Sequence, residues 1–253
     1  MRHHFIAQFL LHAWADNADR KVEQFRIDLP GVPSSRKVPK GVGYKDDLYA
    51  LTVPVVGSMD KQAVETQFLK HVDSLASRAR QKLDQQGLTS LTKSERSDWV
   101  RFLMSLRVRL PATVLQVRDG ASEELRRTLA AQPAHYEALA EGIDPPTLEE
   151  WTEQRFPGLI ENFGMTFFHE MVDHPRIGEM IFRMRWWLWD FSDAKHELLL
   201  ADNPCIFTDS VTAETLVIAL PISSRKAFMA TRGDAVESAL RRVRPSVLAL
   251  RLN

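Results

Sequence analysis

The chain has a single cysteine, Cys205, among 253 residues. No internal disulfide can form, and a zinc site built from cysteines alone is excluded. A reducing compartment is the simplest setting, so a cytoplasmic location is expected. No apolar run reaches the roughly 18 residues that a membrane-spanning helix needs, and no membrane partner is expected. Lys plus Arg and Asp plus Glu each number 33, so neither sign of charge prevails. A surface built mainly to hold nucleic acid is therefore not favoured. The patterns G-x-x-x-x-G-K-[ST], G-x-G-x-x-G and G-x-S-x-G are all absent. With them go the local signals of phosphate-loop, dinucleotide-binding and α/β-hydrolase proteins.

What remains is a globular composition, 44% hydrophobic and 26% charged, without low-complexity tracts or internal repeats. That length and composition suit one large core, or one core plus a lobe. The opening MRHHFIAQFLLHAWAD loosely imitates a signal peptide. Its apolar stretch is short and is broken by Gln8 and His12, so secretion is not expected. Residues 4–15 read as a helix whose His4, Gln8 and His12 form one narrow polar stripe. That stripe either faces solvent or, on a buried helix, must find partners. VEQFRI alternates like a strand. The stretch LPGVPSSRKVPKGVGYKDD is rich in turn formers and reads as a loop, and LYALTVPVV adds a short extended piece.

Residues 60–86 predict a long amphipathic helix with Val64, Phe68, Leu69, Val72, Ala76, Ala79 and Leu83 on one face. Glu65 falls near the middle of that apolar stripe, whereas Lys70, His71 and Asp73 project elsewhere. A carboxylate there needs a cation, hydrogen bonds or a metal, unless it merely favours the first turn of the helix. Thr92-x-x-Glu95 fits a capping box opening the next helix. Arg107 and Arg109 close that helix at Pro111, where cations suit the helix dipole. Arg109, at the edge of the apolar stripe, is also placed to reach inward. Further helices are read over 119–140 and, after a break capped by Thr147, over 147–182 as two helices separated near Phe156-Pro157-Gly158, with DHPRIGEM a further break or kink.

The pattern then turns strand-like in MRWWLWDF, HELLLADNPCIF, TAETLVIALPISS and KAFMAT. A last helix, GDAVESALRRVR, is broken by Pro245. Segregated helices and strands predict an α+β fold, with a predominantly helical N-terminal and central part packed on a small, mainly antiparallel sheet from the C-terminal third. Asp202-Asn203-Pro204 suits a tight turn, and the same turn at the end of a buried strand would hold a carboxylate rigidly. His169 and His174 look like a zinc motif, but the histidines are five positions apart where the motif needs four, which separates them round a helix, and Pro175 follows. Trp186, Trp187 and Trp189 are read as core packing before a stacking platform.

Several of these pieces together resemble the domain-of-unknown-function 4238 family, found mainly in bacteria. HHFIAQFLLHAWA is similar to its opening, with Ala7 where the family usually has Pro and Trp14 where it has Phe. YKDDLYAL, Glu65 at the head of the first long helix, Arg109-Leu110-Pro111, LLLADNPCIF and ALPISSRKAF follow in the family's order, with Ala201 in place of a serine. The resemblance covers nearly the whole chain as a single domain, residues 1–253. Family members often continue past the point matching Leu252-Asn253 with another helix, so a short C-terminus is expected, and the resemblance brings an expected site without an activity.

Helix geometry and the resemblance select overlapping residues: His4, Gln8, Glu65, Arg109, Asp202 and Asn203. One reading is a hydrolase or phosphodiester-cleaving enzyme. Glu65 and Asp202 would then serve as acid/base pair or metal ligands, with His4 or His3 as proton carrier. Arg109 would hold an anionic group, and Gln8 and Asn203 would orient the substrate. Two carboxylates and an imidazole suit a divalent metal, although no spacing demands one. The alternative is a non-catalytic module whose buried network binds or senses a small anionic ligand, or only locks the fold. A third reading, a nucleic-acid-binding or defence-associated protein, rests on the arginines of FRMRWW and LRRVR.

Overall fold

The computed structural model describes residues 1–15, 18–51 and 60–253. The chain opens with β1 (Arg2–His4) and a single helical turn, α1 (Gln8–Leu11). Next come the hairpin strands β2 (Val22–Phe25) and β3 (Ser34–Lys37), and then β4 (Tyr44–Asp46). A π-helical turn, Val64–Leu69, leads into α2 (Lys70–Gln86), and α3 (Lys93–Val108) follows. The helical middle continues as α4 (Pro111–Ala130), α5 (Pro133–Glu137), α6 (Leu148–Arg155), α7 (Leu159–Thr166), α8 (Phe168–Val172) and α9 (Pro175–Arg183). The C-terminal third holds β5 (Arg185–Asp190), β6 (Ile206–Phe207), β7 (Val217–Ser223) and β8 (Lys226–Thr231), closed by α10 (Asp234–Arg241) and α11 (Pro245–Leu252). This is the expected α+β arrangement.

The main sheet is antiparallel, ordered β5-β8-β7-β6. Its period of two sorts the side chains into two cores. Ile218, Leu220, Ile222, Phe228 and Ala230 pack with Val72, Ala76 and Leu83 of α2 and with Trp99, Phe102 and Leu106 of α3. Val217, Ala219, Ala227 and Met229 face the other way, onto Trp187, Phe191, Leu198 and Leu248 of α11. The sheet therefore lies between the α2–α3 pair and the C-terminal helices. A third core joins Tyr49, Leu69, Val108, Val114, Met165 and Phe168. Within the helical middle α7 lies so close to α4 that a Cβ on Gly164 would stand 2.6 Å from the Val117 carbonyl oxygen.

The caps were legible. Thr92 and Glu95 form the full reciprocal box, and the Thr147 hydroxyl accepts from the Glu150 amide. Other expectations are corrected. Residues 2–4 form a strand, because Arg2, His3 and His4 pair with Asp46, Lys45 and Tyr44. Only Gln8–Leu11 and a 3-10 turn at His12–Trp14 are helical. Gly43, at φ 62°, lets its carbonyl accept from both Phe5 and Ile6. The supposed loop after residue 27 contains β3 and β4. Helix α4 starts at Pro111 itself, and the stretch 147–182 holds four helices in place of two. HELLLA is no strand: the Leu198 amide bonds the Ser224 carbonyl, and Asn253 takes up the Leu199 amide and the Glu197 carbonyl. Of LYALTVPVV, residues 52–56 lie outside the described residues.

Candidate functional site

Three distant segments meet where α2 and α3 run side by side. Pro111 requires an extended residue before it, so Leu110 ends α3 and starts α4 in one step (φ −62°, ψ 138°). Arg109, the last residue before that joint, is thereby turned into the core and is fully buried. Its Nη2 and Nη1 donate to Asp73 Oδ1 and Oδ2 at 2.8 and 3.2 Å, and Nη2 also donates to the Ser105 hydroxyl. The Tyr49 hydroxyl donates to the Arg109 carbonyl at 2.8 Å. The two-pronged geometry is the strong form of an arginine–carboxylate pair.

Asp73 was expected to project away from this face. The π-helical turn adds to each hydrogen-bonded loop and shifts the phase of the residues that follow. Asp73 and Glu65 accordingly both lie in the field of Arg109. The Glu65 carboxyl accepts from the His4 backbone amide, yet its Oε2 is buried without a hydrogen-bond partner. Burial pushes its pKa up to about 7; the positive Arg109 opposes that shift and the negative Asp73 adds to it.

The two N-terminal histidines divide their tasks. His3 has both ring nitrogens engaged: Nδ1 accepts the Tyr49 amide at 2.8 Å and Nε2 meets Gln62 Oε1. Its ring stacks on Tyr49, with centroids 5.2 Å apart. Gln62 in turn donates to Asp47, which also takes the chain's amino terminus and is held down to about 2 by those bonds. His3 is therefore a structural strut rather than a proton carrier. His4 has Nδ1 3.3 Å from the Gln8 amide nitrogen; its Nε2 is buried and makes no close hydrogen bond, although the Lys40 backbone acts on the ring as an acceptor. With Gln8 assigned as donor, the neutral imidazole carries its proton on Nε2. Burial lowers the basicity of both histidines. The cluster reaches water through exposed Gln8 and the partly exposed Asp73 and Glu65.

His4, Gln8, Glu65 and Arg109 thus come together as the sequence suggested, although His4 and Gln8 do so from a strand and a short helix. Asp202 and Asn203 lie elsewhere: both are exposed in a surface turn, and no hydrogen bond ties them to the cluster among the described residues. Asp202 acts electrostatically on Arg26. Arg109 is already paired with the chain's own Asp73. Asp73, Tyr49, Gln62 and Ser105 were missed. An arginine aimed into a core demands a buried counter-ion, which was the signal for Asp73.

Among the described residues, no three His, Cys, Asp or Glu side chains are placed to hold a metal ion. His169 contacts Asp173 at 3.1 Å, and Asp173 is clamped by Arg101. The tryptophans are packed: Trp186 lies against Phe228 and under Arg96, and Trp187 is buried. Cys205 is buried, which pushes its thiol up. No helix among the described residues is long and apolar enough to cross a membrane.

Fold and cluster together define an α+β protein with a buried carboxylate–imidazole–guanidinium group at a helix joint. The family model described as "Protein of unknown function (DUF4238)" matches residues 2–253, and the chain belongs to that family. No curated protein and no solved structure matches it.

Proposed function

We propose that the protein is a hydrolase or phosphodiester-cleaving enzyme in which Glu65 carries the proton transfer and His4 holds the departing oxygen. One observation supports this reading above the others: Glu65 Oε2 and His4 Nε2 are both buried and neither makes a close hydrogen bond. Each such atom costs stability, and a fold that only needed a lock would pair them. A carboxyl that titrates near neutrality is half ionised in use, which suits a general base. Glu65 would take a proton from an attacking water and pass it to the departing oxygen, which the neutral His4 Nε2–H would stabilise by a hydrogen bond without giving up its proton. Gln8 holds the imidazole in that tautomer, and Arg109–Asp73 fixes the field around Glu65.

The alternative, a non-catalytic module that binds or senses a small anion or simply locks the fold, is favoured by the two-pronged Arg109–Asp73 pair, in which the guanidinium is already satisfied by the chain's own carboxylate. The third reading draws no such support. Three of the five arginines behind it are paired, Arg183 with Glu179, Arg185 with Asp234 and Glu237, and Arg241 with Glu237.

Turnover of an aryl ester and an aryl phosphodiester separates the first two readings. The wild-type chain is expected to hydrolyse one of them, and Glu65→Gln to lose at least ~100-fold in kcat. Equal rates for the wild type and Glu65→Gln, or none above buffer in both, would leave the non-catalytic reading standing.

A further inference from the structure

The β2–β3 hairpin stands apart from the body. Every residue from Phe25 to Val38 is exposed, and its two strands pair only with each other. Its tip is apolar, with Ile27 87% exposed and Leu29 and Val32 also open to solvent. Pro30-Gly31 makes the turn, closed by the Val32 amide on the Leu29 carbonyl at 3.2 Å. Val32 then sits at φ 46°, a region a β-branched residue rarely enters. An arm that keeps a strained, exposed valine at its tip is shaped for contact.

Charge identifies what it contacts. Residues 18–40 carry six basic side chains, Arg20, Lys21, Arg26, Arg36, Lys37 and Lys40, against three acidic ones. Arg26 and Arg36 pair only within the arm, with Asp28 and Asp19. The opposite balance occurs in residues 137–161, with seven acidic side chains and one basic. That stretch also exposes large apolar groups, Leu139 at 70% and Ile143 at 92%, with Phe156 nearby in sequence. Glu149, Glu150 and Glu153 line an open cleft of about 570 Å³ on α6, and Arg126 bridges Glu149 and Glu161 beside it. Glu137, Glu141 and Glu150 have no cationic partner among the described residues. A chain of zero net charge thus separates its charges into a basic arm with an apolar tip and an acidic face with apolar groups.

We propose that the arm docks on the acidic face of a second copy, so that two copies exchange arms reciprocally. Apolar tip meets Leu139 and Ile143, while the flanking Arg and Lys meet the glutamates. A two-fold pair forms this contact twice. The contact is partly electrostatic, so it weakens as salt rises.

Sedimentation velocity of the full chain tests this at about 0.05 M and about 0.5 M salt. A dimer is expected at low salt at about 100 μM protein, weakened at high salt. Ile27→Ser, Lys37→Glu and Glu150→Lys, all at exposed positions, should each weaken it at least ~10-fold. Lys37→Glu combined with Glu150→Lys in one chain should recover part of the loss. Val32→Gly should weaken association without lowering Tm, because it removes the left-handed valine. A wild-type monomer under these conditions overturns the proposal, as does a dimer indifferent to both the arm and the face variants. Binding of the monomeric wild type to anionic vesicles or to an oligonucleotide, lost in Ile27→Ser, would assign the arm to another occupant and equally overturn it.

Discussion

Arg109→Ala is expected to lose about 3–5 kcal/mol of unfolding free energy, the cost of leaving a buried ion pair with one member. The guanidinium is wholly enclosed and satisfies Asp73, the Ser105 hydroxyl and the last turn of α3 at once. Removing it leaves a cavity beside Phe102 and a carboxylate without its cation. Arg109→Lys should fall between, because an ammonium cannot reproduce the two-pronged contact. Urea unfolding of Arg109→Ala, Asp73→Asn and the double variant apportions the pair. The double variant should be less damaged than the sum of the singles, by about 1–3 kcal/mol. Strict additivity would mean that the two side chains do not support each other.

Glu65→Gln should change stability in a manner set by pH. The folded protein keeps the Glu65 proton up to about 7, whereas the unfolded chain releases it at its ordinary value of 4.5. Between those two values the native state binds more protons, so the wild type loses stability as pH rises, and above 7 the loss is complete. The glutamine variant has no proton to lose. Its advantage over the wild type should be small at pH 4, grow between about 4.5 and 7, and level off beyond, at about 1–2 kcal/mol after allowance for partial exposure. His3 and His4 act in the opposite sense. Their lowered folded values mean that the unfolded chain binds more protons below 6.5, so their contribution is present above 6.5 and is lost as the pH falls. In Glu65→Gln that rising slope stands alone, and Tm should climb from pH 5 to pH 6.5. Thermal melts of both proteins at half-unit steps measure the difference directly. A gap independent of pH would contradict the raised Glu65 value.

Where local chemistry decides structure, the sequence was readable. Thr92 and Glu95 cap α3 as their spacing requires, and the alternation in β7 and β8 separates the two faces of the sheet. Where distant partners decide, it was not. The helical period of the N-terminal segment yields to pairing of His3 and His4 with β4, forty residues away, a tertiary contact that no local window reports. HELLLA has strand composition, but its backbone groups are taken by Asn253 and Ser224 instead of a ladder. Glu65 and Arg109 were legible because charge in an apolar stripe has to be explained. Asp73 was not, since its face depends on a π-helical turn that no periodicity of 3.6 anticipates. Asp202 is a turn-forming residue that the structure places in an exposed turn, the local outcome its composition already suggested.

The central claim is that Glu65 holds its proton near neutrality beside His4. Carbon-detected NMR of the side-chain carboxyl, assigned with Glu65→Gln, follows its titration residue by residue. The account predicts a midpoint of about 7. It also predicts a lower midpoint in Asp73→Asn, where a neighbouring negative charge is removed while Arg109 stays. A wild-type midpoint near 4.5, unchanged in Asp73→Asn, would contradict it.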